Sequence, residues 1–348
     1  MARPPDAARQ GWIATKAAGA IAEHAATLTA DRARGWLRTE ADRLREGAEP
    51  LLLAALRTRI ASRPSSVFLD WSRDAAEAFG DAEAALAIHP VLAAVIEGVK
   101  IIDDIQDGET RCLAAEVGIE RAMNVALAAI GEALGRTAEL PFDDRVWSAA
   151  AVAVGRGIRE TALGQEMESS ATGSHESYWN VVDHKTPPLV ATALELGALA
   201  AGADPVHAAA LTQLAVPLGR VLQIGDDAND ALGDDATDWR TPQLNLLMLY
   251  SLSGPNGGEL AELLRRGEDS ESLRAAQLLM LRDGALGYAV HTLTTTFAAI
   301  EATIESLALP DPRPLLRLLE QQREGLERVL RSSGVDEELA RRVRASCG

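Results

Sequence analysis

The sequence predicts an all-α protein, and three observations carry that prediction. Apolar residues recur every three to four positions, as in Ile13, Ala17, Ala20 and Ile21 and again in Leu211, Leu214, Leu218 and Leu222, the spacing that lays one stripe along a helix. Ala, Leu, Glu and Arg, all good helix formers, dominate the composition. Clusters of Gly, Pro and Asp interrupt the pattern at 62–66, 79–81, 140–144, 202–205, 233–241, 253–258 and 309–314, which leaves room for about ten to twelve helices.

Taken in order, residues 1–10 read as a flexible tail, and helical patterning then runs from Ala7 to Cys347. With 348 residues, 47% hydrophobic and 24% charged, the chain can bury a large core. No Ser/Gly/Pro-rich linker separates two cores, so residues 1–348 are expected to form one domain. The C-terminal LLRLLEQQREGLERVLRSSG is amphipathic and reads as a packing or dimer helix. A net charge of −17 argues against nucleic acid and anionic membrane partners. The apolar runs VLAAV and NLLMLY fall far short of the ~20 residues that a membrane-spanning helix needs. MARPPDAARQGW lacks the apolar run of a secretory signal, and Cys112 and Cys347 read as free thiols, both of which favour the reducing cytoplasm.

The chemistry concentrates in two aspartate clusters. In VIEGVKIIDDIQDGETRC, Asp103 and Asp107 stand at i,i+4 on one helix face, with Val99 and Ile96 one and two turns earlier. In VLQIGDDANDALGDD, Asp226 and Asp230 repeat the spacing, with Gln223 one turn before. Carboxylates this close repel unless a cation neutralises them, and an all-oxygen set suits Mg²⁺ held jointly by carboxylates and a substrate phosphate. One such cluster in a chain with 51 acidic residues is more often structural than functional. Two clusters facing each other across a bundle would hold a diphosphate through bridging metal ions. Between them lie TALGQEMES and DHKTPPLVATALELGALAAGA, where Lys185 and Thr186 open an apolar helix and a single cation stands at its mouth.

The order DDxxD, GQ, KT, QxxDDxxD on helices resembles the trans-type isoprenyl diphosphate synthase superfamily over roughly residues 50 to 250. The resemblance implies an antiparallel helical bundle around a deep apolar cavity, homodimeric, which ionises an allylic prenyl diphosphate with Mg²⁺, three ions being bound together with the diphosphate. By that resemblance Asp103, Asp107 and Asp226 carry the metals, with Asp104, Asp227 and Asp230 in support. Lys185 binds the leaving diphosphate, and Thr186 and Gln223 lie beside the reacting centre. Arg111 helps to hold the allylic diphosphate, and Arg240 either replaces a family lysine on that group or pairs with Asp238 or Asp235.

The acceptor half departs from the family pattern. Where relatives place cationic or polar groups for isopentenyl diphosphate, this chain has Ser65, Phe68, Ile96 and Cys112. Burying a second diphosphate without partners costs several kcal/mol or more, so an uncharged acceptor is expected. Phe68 and Trp71, at i,i+3, form either an aromatic pocket face or ordinary core packing. Gly98 and Val99, where bulky side chains would close the tail tunnel, leave room for a C15 or C20 donor, and Lys100 pairs with Glu97 or Asp104.

Four functions compete: prenyl transfer to a neutral acceptor such as an indole, cyclisation or lysis of the donor alone, chain elongation with isopentenyl diphosphate, and a non-catalytic subunit. A cyclase lines its cavity with rings that stabilise cations, and aromatic residues make up only 4% of this chain. Transfer is therefore the expected activity. No catalytic base is assigned, because departing diphosphate can accept the proton.

Overall fold

The computed structural model describes residues 66–109, 112–233, 244–266 and 270–332. Among these there are fourteen α-helices and no strand. In chain order they are α1 (Val67–Ala78), α2 (His89–Gln106), α3 (Leu113–Val117), α4 (Ile119–Ala138), α5 (Asp144–Ser169), α6 (His175–Lys185) and α7 (Pro187–Ala200). Then follow α8 (Pro205–Ala210), α9 (Ala215–Leu232), α10 (Leu246–Leu252), α11 (Gly257–Arg266), α12 (Ser270–Asp283), α13 (Ala285–Ser306) and α14 (Arg313–Ser332). Short 3₁₀ turns occupy Ala82–Ala87 and Leu211–Leu214.

Every residue from Pro187 to Leu199 is buried. A helix that is apolar all round has to sit inside a bundle, and α7 does so, against α1, α5 and α9. Two glycine contacts bring it close to its neighbours. A Cβ on Gly197 would meet the Ser72 carbonyl of α1 at 2.0 Å, and one on Gly157 of α5 would meet the Thr192 hydroxyl of α7 at 2.2 Å. The one acidic residue of α7, Glu195, is buried and paired with Arg156 of α5. Leaving that charge unpaired would cost several kcal/mol, so the ion pair also fixes α7 against α5.

The breaks read from the sequence at 79–81, 140–144 and 202–205 carry the local chemistry that stops a helix. Gly80 adopts φ +103°, a conformation that glycine tolerates best. Asp81, Asp143 and Asp204 each accept hydrogen bonds from the first exposed N–H groups of the helix that follows. The helix count exceeds expectation because single residues also end helices, including Gly118 at φ +90° and Gly284 at φ +88°. Lys185 closes α6 rather than opening a helix. Thr186 is the joint, and Pro187 and Pro188 begin α7, where the N–H that proline lacks would have no partner anyway.

One connected core runs from Trp71 to Leu319, and a smaller one lies beneath α2, α3 and α4. The C-terminal helix packs on it through Leu315, Leu318 and Leu319, while Arg317 donates to Asp74 at 2.8 Å and to Glu77 at 2.7 Å on α1. No described helix is long and apolar enough to cross a membrane. The tail at 1–10, Ser65, Arg111, Arg240 and Cys347 lie outside the described residues.

Candidate active site

The first aspartate cluster stands at the end of α2. That helix buries Val91, Leu92, Val95 and Ile96, which leaves its last turn to project Asp103 and Asp104. Asp107 caps the helix, and its N–H donates to the Asp103 carbonyl at 2.9 Å, so the turn continues and the two side chains share a side. The last turn of α5 adds Glu168. One oxygen from each of Asp103, Asp107 and Glu168 lies within 4.8 Å of the others.

Lys185 joins this group. Its Nζ lies 2.6 Å from Glu168 Oε2 and 3.0 Å from Asp103 Oδ1. Gly164 makes the approach possible: a Cβ there would lie 2.2 Å from the His184 carbonyl oxygen and 2.5 Å from the Lys185 nitrogen. The backbones of α5 and the end of α6 therefore touch, which sets Glu168 against Lys185. Burial pulls the Lys185 pKa down, but the negative charges of Asp103 and Glu168 outweigh it and the ammonium is held more firmly than usual. Asp107 is pushed up to about 6, by desolvation first and then by Asp103 and Glu168, against the pull of Lys185 and Lys100.

Lys185 is accompanied by a second cation at this cluster. Lys100 Nζ lies 2.6 Å from Asp104 Oδ1 and 3.6 Å from Asp103 Oδ2. Of the two partners expected for Lys100, the structure selects Asp104, which turns that carboxylate towards Lys100 rather than into the group of three.

On α9, Asp226 is exposed and Asp230 half-buried, whereas Asp227 points inward and is 1% exposed. Asp227 accepts from Tyr178 Oη at 2.6 Å, from the Leu246 N–H at 2.7 Å and from Gln223 Nε2 at 2.9 Å. Gln223, expected beside the reacting centre, gives its amide to Asp227.

The remaining expectations fare unevenly. Trp71 is 1% exposed in the core and meets half-buried Phe68 edge to face at 6.3 Å. Ile96 is buried in the same core. Cys112, a free buried thiol, donates to the Glu109 carbonyl at 3.0 Å. Gly98 leaves no room for a tail, because a Cβ there would meet Ile130 at 2.9 Å and the Ala126 carbonyl at 3.1 Å, both on α4. Val99, half-buried, packs on the main core.

The carboxylates fit a hard divalent cation. All donors are oxygens, and Asp103 Oδ1 is buried outside hydrogen-bond geometry although an ammonium lies near it. Glu168 is the functional candidate that motif reading missed. Its one signal was position, three residues after the Gln165 of the GQ pair, on the helix turn that Gly164 begins.

The polyprenyl synthetase family model matches residues 70–278, more than half of the chain, and the chain belongs to that family. It is 28% identical over 152 residues to the geranylfarnesyl diphosphate synthase of Aeropyrum pernix, covering 42% of this chain and 47% of that one. The match therefore spans about half the length of that relative. It is also 28% identical over 239 residues to the nonaprenyl diphosphate synthase of Mycobacterium tuberculosis, covering 64% of this chain and 70% of the other. Among solved structures, geranylgeranyl pyrophosphate synthase from Corynebacterium glutamicum, complexed with calcium and isoprenyl diphosphate, superposes with a TM-score of 0.67 at 24% identity, covering 86% of this chain and 96% of that one. The Pyrococcus horikoshii geranylgeranyl pyrophosphate synthetase gives 0.69 at 17%, covering 85% and 98%. These similarities establish the all-α isoprenyl diphosphate synthase fold.

Proposed function

We propose that this protein ionises an allylic prenyl diphosphate with Mg²⁺ and passes the prenyl group to an uncharged acceptor, releasing diphosphate. The observation that carries this reading is the group at the mouth of α7. Three carboxylates suited to a divalent cation adjoin one ammonium suited to an anion. Asp103, Asp107, Glu168 and, from α9, Asp226 with Asp230 would hold the metal, which supplies counter-charge to the diphosphate when bound. Three ions are proposed.

The chain's own groups do the rest. Lys185 exchanges its carboxylate partners for diphosphate oxygens and stabilises the charge that develops as the allylic C–O bond breaks. Thr186 stands next to it at the joint, and Arg111 and Arg240 are proposed as further diphosphate contacts. The apolar residues behind the joint keep water from the cation. Capture by an electron-rich acceptor forms the new C–C bond, and the proton it loses goes to diphosphate.

Support for an uncharged acceptor comes from Phe68, Ile96 and Cys112, none of them a cation, together with Ser65 in sequence. A C15 or C20 donor rests on Val99 alone, since Gly98 is filled by α4. Chain elongation is the second reading, favoured by the similarity to a geranylfarnesyl and a nonaprenyl diphosphate synthase; cyclisation or lysis of the donor is the third. One assay separates them: purified protein with Mg²⁺ and geranyl, farnesyl or geranylgeranyl diphosphate, alone, with isopentenyl diphosphate, or with indole. A prenylated indole is the expected product. A longer diphosphate would establish elongation in its place, a hydrocarbon or alcohol from donor alone would establish cyclisation or lysis, and no conversion of any donor would remove the reading.

A homodimer is also proposed. Ile119, Met123 and Leu127, on one face of α4, are 55%, 56% and 70% exposed, and Val152 and Leu163, on one face of α5, are 64% and 54% exposed. Large apolar side chains left open along a helix face in this way fit a protein interface. Light scattering at micromolar concentration is expected to give twice the chain mass of 36.9 kDa; the single-chain mass would reject the dimer.

A further inference from the structure

We propose that Tyr178 is a positioning residue: by donating to Asp227 it locks the rotation of α9 against α6, so that Lys185 and the Asp226–Asp230 pair present to one diphosphate. The inference rests on the function proposed above.

Lys185 and the second aspartate cluster sit on different helices, α6 and α9, and their relative aim depends on how those helices are clamped. Three interactions clamp them. Tyr178, 2% exposed, donates to Asp227 Oδ2 at 2.6 Å. Arg220 grips Asp183 in a two-pronged pair, with both contacts at 2.6 Å. The same guanidinium lies 5.0 Å from the centre of the Trp179 ring, and Trp179 packs edge to face on Tyr178 at 4.9 Å.

The spacing explains why these residues act on the site. Tyr178 and Lys185 are seven residues apart on α6, so they share a face about two turns apart. Arg220 and Asp227 bear the same relation on α9. The contacts run antiparallel, Tyr178 against Asp227 and Asp183 against Arg220, so the clamp has Asp226 beside one end and Lys185 beside the other. Asp226 and Asp227 are adjacent, hence about 100° apart around the helix; with Asp227 held inward, Asp226 turns outward with Asp230 following it. Asn245 Nδ2 also donates to the Asp227 carbonyl at 2.8 Å, tying the start of α10 to the same point.

A carboxylate with hydrogen bonds on both oxygens in a buried site is poorly suited to metal ligation. Asp227 is therefore assigned to orienting Asp226. The test uses the full chain and the near-isosteric Tyr178→Phe, with Asp227→Asn as a second variant. Three readouts are taken: steady-state diphosphate release from the donor the wild type uses, calorimetric binding of inorganic diphosphate with Mn²⁺, and thermal melting. Both variants are expected to lose at least tenfold in kcat, with KM for the donor within threefold, and to bind Mn²⁺–diphosphate about five- to tenfold more weakly. Melting within a few degrees of wild type separates mis-aiming from unfolding. If Tyr178→Phe folds less well, Asp227→Asn carries the same comparison.

Wild-type kcat and diphosphate affinity in Tyr178→Phe would overturn the assignment. So would a normal Tyr178→Phe beside an Asp227→Asn that binds no Mn²⁺, which would make Asp227 a ligand. A wild-type protein that neither converts a donor nor binds Mn²⁺–diphosphate would instead overturn the function on which this assignment stands.

Discussion

Replacing Asp103 by alanine is expected to lower kcat for diphosphate release by about a thousandfold or more, roughly 4 kcal/mol of transition-state stabilisation. Asp103 is the one carboxylate that meets both lysines and also belongs to the group of three. Its loss removes a metal donor and leaves Lys185 paired with Glu168 alone. The folded state should not suffer, because one of four crowded acidic side chains is removed and repulsion on Asp107 is relieved. The decisive comparison is activity against melting temperature. Near-wild-type turnover would remove Asp103 from the metal site, and a large drop in melting temperature would make its role structural.

Lys185→Met should lower kcat/KM for the donor by about a hundred- to a thousandfold, the usual scale for losing one donor to developing negative charge. It should also have a signature that Asp103→Ala lacks. Lys185 is 19% exposed and bridges Asp103 to Glu168, so without it three carboxylates face one another with less counter-charge. The metal-free variant should be less stable by about 1–3 kcal/mol, and Mg²⁺ should recover much of that. Melting curves with and without Mg²⁺, beside steady-state kinetics, check both halves. A variant whose melting ignores Mg²⁺ would mean that the carboxylates near Lys185 do not hold the ion.

Much of this was legible in the sequence. A three-to-four period, capping aspartates and glycines at turns are local signals, and they gave the fold class and the breaks around Gly80, Asp143 and Asp204. The spacing of Asp103 and Asp107 likewise survives folding because it lies within one helix end. What could not be read depends on how helices cross. Glu168 enters the site only because Gly164 lets α5 touch the end of α6. Gly98 has no side chain, which reads equally as open space or as close contact, and Ile130 decides for contact. Two adjacent aspartates cannot both face the site, and only the rotation of α9 shows that Asp227 is the one turned in. Phe68 and Trp71 at i,i+3 look the same whether they line a pocket or fill a core, and the spacing does not show that Trp71 is the one enclosed.

The enclosure of α7 has a dynamic consequence. A helix gripped on all sides by α1, α5 and α9 cannot slide without dragging its neighbours, so the joint at Thr186 is a stationary mount for the ammonium just before it. When ligand charge arrives, the accommodation falls to the carboxylate bank in the last turn and cap of α2, where Asp107 is exposed and Asp103 and Asp104 partly so. The cation is the anvil of this site, and the acids are what give.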